Sequence, residues 1–237
     1  MTDSQRVPLV NPVLDSIGTD IVAGVMKVGQ TFTLTDIERK FDVSRTVARE
    51  TMRTLEHMGL VKTSPRVGLT VLPQTSWVSF DPTVIRWRLT NDKARPAQQR
   101  SLNQLRFAVE PIAASVAAGA ATDDERAEIL ALAHRLVELE ERPSSRVGEA
   151  LEVDLKFHTL IFTASHNEMF VSLAPSLLAI LKGRSVFGSQ KRNPIGKTAA
   201  LHVELAEAIK AGNHVDAQNI SRRVLLDSRD EAEQLYR

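Results

Sequence analysis

Three arginines, Arg45, Arg49 and Arg53, recur at every fourth position between Ser44 and Gly59. On a helix that spacing puts them on one side, because four residues overshoot a full turn by only about 40°. A guanidinium is a planar fork that can bond guanine O6 and N7 together, so such a row suits a duplex groove. Much further along, Asp154 and His158 also stand four apart. A carboxylate oxygen and an imidazole nitrogen on one helical face make half of a divalent-metal site, and His202 can add a third ligand from another helix. A bound acid and waters would then complete the shell of Zn²⁺, Mn²⁺ or Ni²⁺. In the metal-free reading, His158 and His202 bond each other or Asp154 across a cavity. Arg106 lies beside the apolar stripe Leu102, Leu105 and Val109, where a charge needs a partner. That partner is either a ligand carboxylate or Glu110, one turn later. His57, His134, His166 and His214 lack such context and read as surface or helix-end residues.

The arginine row needs a helix docked by its other side. Val47, Ala48, Leu55 and Met58 provide that side, with Met52 at its edge. Ser44 is the N-cap, and Gly59 is the stop. A shorter helix precedes it, with Thr33 as N-cap, Asp36 completing a capping box, Ile37 and Phe41 inward, and Asp42 at its end. Val13 to Met26 read as a first amphipathic helix, halted by Gly29. After Gly59, Leu60-Val-Lys-Thr and Leu69-Thr-Val-Leu flank Ser64-Pro-Arg-Val-Gly68, a hairpin with Arg66 near its tip. Two short helices and a β-wing around a cationic ridge form a winged helix-turn-helix, a DNA-reading module.

Pro73 to Phe80 read as a boundary, followed by a short helix begun by Asp81-Pro82. Helices are then expected over Pro96–Ala121, kinked at Pro111, and from Thr122 to about Arg142, opened by a Thr122/Glu125 capping box. Others are expected up to Ser165, from Glu168 to about Phe187 with a bend at Pro175, over Thr198–Ala211 and over His214–Tyr236. Lys191 to Gly196 form a basic loop.

The 237 residues include no cysteine, which excludes disulfide and thiol chemistry and fits a cytoplasmic location. Hydrophobic residues make up 43 % and charged residues 25 %, enough for a packed core. No apolar run of about 18 residues suggests a membrane span. The net charge is only +1, but Arg39 to Arg66 hold seven basic side chains against three acidic ones. That local surplus is the footprint of a small DNA-reading module.

Val43-Ser44-Arg45-Thr46, Arg49-Glu50, Arg53, Leu55-Glu56, Gly59-Leu60-Val61, Gly68 and Val71 resemble the winged helix-turn-helix of GntR-family bacterial regulators. Leu105-Arg106, Glu110, Asp154-Leu-Lys-Phe-His158, Asn167, His202 and Ala208-Ile209 resemble the helical sensing domain of the FadR-like (FCD) subgroup. The resemblance implies base contacts by Arg45 and Arg49, phosphate contacts by Ser44 and Thr46, and Arg66 with the Gly68 backbone at the minor groove. Arg53 either joins them or pairs with Glu50 or Glu56. Departures include Val47-Ala48 for the usual Pro-Val, Thr51-Met52 for Ala-Leu, and Val224 where metal-binding members carry a further histidine. Phe80 to Trp87, the Asp154/His158 motif and Arg184 to Phe187 look like galactonate-responsive members. That likeness implies a sugar-acid effector of the galactonate or gluconate type, met by Arg106, Asp154, Lys156, His158, Asn167, Arg184 and His202, with Ser185 assisting.

The expectation is a mainly α protein. Residues 1–76 form the winged helix-turn-helix, and 77–237 an all-helical effector-binding and dimerisation domain. The expected function is a homodimeric repressor released from its operator by a small carboxylate, with one divalent metal possible at Asp154, His158 and His202. The alternative is a helical metal-dependent enzyme acting on a small acid through those three residues; no nucleophile motif, phosphate loop or acid–base pair supports it.

Overall fold

A computed structural model of the chain describes residues 10–142, 148–181 and 199–235. It divides into two compact units after Gln98. The first holds α1 (Val10–Val22), β1 (Thr31–Phe32), α2 (Leu34–Phe41), α3 (Arg45–His57), β2 (Val61–Ser64), β3 (Gly68–Val71), a 3-10 turn over Gln74–Ser76 and α4 (Pro82–Thr90). Its core gathers Ile17 and Ile21 of α1, Ile37 of α2, Ala48 and Leu55 of α3, and Leu60, Leu69 and Val71 around the sheet.

The local signals act as their chemistry dictates. Thr33 and Asp36 close a reciprocal capping box on α2, and Asp42 ends that helix in the left-handed region. Ser44 caps α3 by accepting from the Val47 amide at 3.4 Å. Gly59 has φ +72°, and a Cβ there would lie 2.2 Å from the Ser76 carbonyl oxygen, so glycine is needed for both torsion and space. The first helix stops at Val22 rather than Met26: Gly24 and Gly29 are both left-handed, at φ +72° and +82°, and Gly24 turns the chain first. The wing hairpin, β2 and β3, supplies two strands of a three-stranded antiparallel sheet in the order β1-β3-β2. Its third strand, Thr31–Phe32 on Thr70 and Leu69, is too short to show an alternating pattern in sequence.

Helix α4 packs on α1, although the sequence boundary at 76/77 assigned it to the second domain. Trp87 is fully buried over Gly18, and its indole N–H donates to Asp15 at 2.8 Å. Asp81 caps α4 with Pro82 in the first turn.

Among the described residues the second unit is helical: α5 (Arg95–Ala120), which continues through Pro111, then α6 (Asp123–Glu141), α7 (Glu149–Ala164), α8 (Glu168–Leu177), α9 (Ala199–Lys210) and α10 (His214–Leu235). Its core interleaves alanines 114, 117 and 118 of α5 with Ile129 and Leu136 of α6, Phe157 and Ile161 of α7, Leu205 and Ile209 of α9, and Val224 of α10. Long side chains link α5, α7 and α9 within it: Glu110 reaches His158, and His202 reaches Asp154. The Thr122/Glu125 capping box opens α6. No helix among the described residues is long and apolar enough to cross a membrane.

Candidate functional site

Helix α3 buries Ala48, Thr51 and Leu55 and leaves Arg45, Thr46, Arg49 and Arg53 exposed. Arg53 pairs with Glu50 at 2.9 Å, the intrahelical partner left open by the sequence. Among the described residues, Arg45 and Arg49 have no ion pair. Ser44 is exposed at the helix N-terminus, beside amides that can face a phosphate. Arg66 is exposed in the β2–β3 turn with φ +66°, a conformation that costs a side-chain-bearing residue about 1–2 kcal/mol. Gly68 has φ +91°, and a Cβ would meet the Phe32 carbonyl oxygen at 2.6 Å, so this glycine lets β1 approach β3.

The second cluster lies inside the helical unit. Asp154 and His158 project from α7 and His202 from α9; both histidines are buried, and Asp154 is nearly so. His158 Nε2 lies 3.5 Å, and His202 Nε2 3.4 Å, from Asp154 Oδ1. Donor atoms of all three lie within 4.8 Å of one another. Tetrahedral ligands on bonds of about 2.1 Å stand roughly 3.4 Å apart, so Asp154 lies at that separation from both imidazoles, and the donor types suit a common metal ion. Phe157 meets both imidazole rings edge-on, at centroid distances of 5.5 and 5.0 Å.

Behind this trio stands a second pair on α5. Arg106 is 2 % and Glu110 4 % exposed. The guanidinium donates through Nε to Glu110 Oε1 and through Nη2 to Oε2 at 3.2 Å. Glu110 Oε2 also faces His158 Nδ1 at 3.2 Å. Burial opposes ionisation of Glu110, but Arg106 and then His158 outweigh it and hold the carboxyl at about 2. Burial likewise opposes the Asp154 charge, yet hydrogen bonds from His158 and His202 keep it well below the usual carboxylate range. Burial lowers His158, but Glu110 and Asp154 overcome it and raise the imidazole to about 9. The site therefore favours a cation between its carboxylates.

Residues 101–227 match the family model of the FCD domain, and residues 9–71 that of the bacterial regulatory proteins, gntR family. The chain is a GntR-family transcription regulator with an FCD domain. Two Escherichia coli (strain K12) proteins are similar to this GntR regulator. The uncharacterized HTH-type transcriptional regulator YieP is 31 % identical over 139 residues, 59 % of each chain. The Uxu operon transcriptional regulator is 33 % identical over 140 residues, 58 % of this chain and 51 % of its own. The matches thus span half to three-fifths of these relatives. In fold, the regulator resembles Lar of Listeria monocytogenes, with a TM-score of 0.62 at 14 % identity, covering 99 % of this chain and 100 % of the other. These families are transcription regulators, which removes the ground for the enzyme alternative.

Not every residue expected at the regulator's sensing site joins the cluster. Lys156 is exposed: two positions from Asp154 on a helix is about 200° around it, away from the trio. Asn167 caps α8, its side-chain oxygen accepting from the Met169 and Phe170 amides at 3.0 and 3.4 Å. Arg106 is occupied by Glu110. Arg184, Ser185 and the Lys191–Gly196 loop lie outside the described residues. Val224, 1 % exposed, belongs to the bundle core, so α10 offers no imidazole at that position. Two exposed histidines have partners that sequence spacing did not reveal: His166 Nε2 faces Glu125 at 3.0 Å, and His214 Nδ1 faces the Ser115 carbonyl at 2.7 Å.

Proposed function

We propose that this regulator is a homodimeric repressor that binds an operator through α3 and the wing, and that a small carboxylate releases it. The observation that carries the reading is a pairing of two features: an exposed arginine ridge on a docked helix, and a buried Asp154/His158/His202 trio in the helical unit. Arg45 and Arg49 would reach guanine edges, Ser44 and Thr46 phosphates, and Arg66 with the Gly68 backbone the minor groove. The left-handed torsion at Arg66 supports its part, because a wing turn that keeps arginine there accepts strain where glycine would accept none. A dimer presents two ridges to a palindromic site. A bacterial cytoplasm, where operator DNA lies, is the matching location.

Asp154, His158 and His202 would hold one divalent ion, zinc, manganese or nickel by donor type. When bound, that ion supplies a Lewis-acidic anchor for the effector's carboxylate and hydroxyl oxygens. With one protein ligand fewer than a four-residue set, coordination positions remain for a chelating acid. That favours a 2-hydroxy carboxylate such as a sugar acid of the galactonate or gluconate type. The name of the Uxu operon regulator supports operon-level control for this chain too.

A thermal-shift screen of sugar and hydroxy acids, with and without a chelator, tests the sensing role. We expect a class of hydroxy acids to raise the melting temperature, the chelator to abolish the rise, and the same acids to dissociate the DNA complex. A ligand at 100 times its Kd adds about 2.7 kcal/mol. No shift with any acid in the presence of zinc, manganese or nickel would contradict the proposed sensing role.

A further inference from the structure

We infer that Glu110 is the positioning residue of the Asp154/His158/His202 site: through His158 Nδ1 it fixes which imidazole nitrogen faces the metal position, and Arg106 serves to hold Glu110 rather than to bind the effector. The inference rests on the metal reading above. Four observations carry it. Glu110 Oε2 is 3.2 Å from Nδ1, on the opposite edge of the ring from Nε2, which lies 3.5 Å from Asp154. Arg106 spends two N–H donors on the same carboxylate. Both residues are buried in the helical unit, so water does not compete for these bonds. Phe157 stands edge-on to the ring at 5.5 Å, restricting other orientations.

An imidazole can present either nitrogen to a metal, and the hydrogen bond made by the other nitrogen decides which. With Nδ1–H held by Glu110, Nε2 is the nitrogen left to exchange its proton for a metal, and it lies 3.5 Å from Asp154, the carboxylate that His202 also faces. Carboxylates placed behind ligating histidines typically matter by ten- to a hundredfold in metal affinity. Glutamine at 110 keeps an acceptor but removes the charge. It also leaves Arg106 buried without a counter-charge, so a second variant must remove both. The pair Arg106→Leu with Glu110→Leu does so at similar volume, and such replacements of buried ion pairs are often neutral for folding.

The test is zinc affinity of the full-length chain by competition with a chromophoric chelator, together with ¹⁵N chemical shifts of the His158 ring in the zinc-loaded protein. For the wild type we expect zinc on Nε2 and a proton on Nδ1. For E110Q and for the R106L/E110L pair we expect affinity ten- to a hundredfold lower with a cooperative melt retained. In the pair, the Nδ1–H signal should be lost or the two nitrogens should share the metal. Unchanged affinity and an unchanged Nε2-bound signature in the folded pair would overturn the inference while leaving the metal site standing. Zinc on Nδ1 in the wild type would overturn it as well. A wild-type chain that takes up no zinc would overturn the metal reading, and this inference with it.

Discussion

Single side chains separate the roles of the arginines. Arg49 is exposed, without an ion pair among the described residues, and lies one turn into a helix whose opposite side is buried. Arg49→Ala should weaken operator binding ten- to a hundredfold, the equivalent of about 1–3 kcal/mol for a lost bidentate base contact, without shifting the melting temperature measurably. Fluorescence anisotropy with an operator duplex and a thermal melt check both halves. Glu125 shows how one carboxylate adds a pH dependence. Its bond from the Thr122 amide, then the Thr122 hydroxyl and His166, hold it below the usual carboxylate value despite some burial. A group depressed on folding stabilises above its unfolded pKa, and that contribution fades as pH falls through the folded value. Glu125→Gln should therefore melt earlier than wild type at pH 7, and the gap should close as pH drops below about 4. Paired melts across that range measure it.

Helices and strands hold the contacts that fix these residues. Gly18 of α1 meets the ring of Trp87, and a Cβ there would lie 2.3 Å from it. Since that ring is fully buried, Gly18→Ala should destabilise the first unit by about 1–3 kcal/mol, as overpacking does, and denaturant unfolding reads the loss. Arg126 joins helix ends: it donates to the carbonyls of Ala118 and Ala121 at the end of α5 and of Lys210 at the end of α9, at 2.8–3.0 Å. Arg126→Ala should cost about 2 kcal/mol by unfolding, because those terminal carbonyls lose charge-assisted partners. Much of this scale was legible in sequence. Thr33, Ser44, Asp81 and Thr122 announce helix starts because a cap's chemistry is local, and those four caps stand where their side chains indicate. The Gly24 stop was hidden by Val25 and Met26, which continue an apolar rhythm after the backbone has turned. The docking of α4 on α1 was illegible because it depends on an indole filling the space above a distant glycine.

At the scale of the molecule, the two candidate sites sit in units of different construction. The first is a compact α/β module whose polar ridge faces outward; the second is an alanine-rich bundle that buries charged groups as a connected set. Sequence spacing alone brought Asp154 and His158 together, because one helix fixes both. The joining of His202, Glu110 and Arg106 to them comes from packing of three helices, and only Arg106 with Glu110 shared a spacing that pointed to it. The same spacing left open whether Arg106 binds a ligand, and the doubly bonded Glu110 now occupies it. The most direct measurement of the account is selection of random duplexes by the purified full-length chain. Wild type should enrich a palindromic site with a conserved guanine in each half, and the Arg45→Ala, Arg49→Ala double variant, equally folded, should enrich none. Enrichment of the same site by both proteins would contradict the assignment of the α3 ridge as the DNA reader.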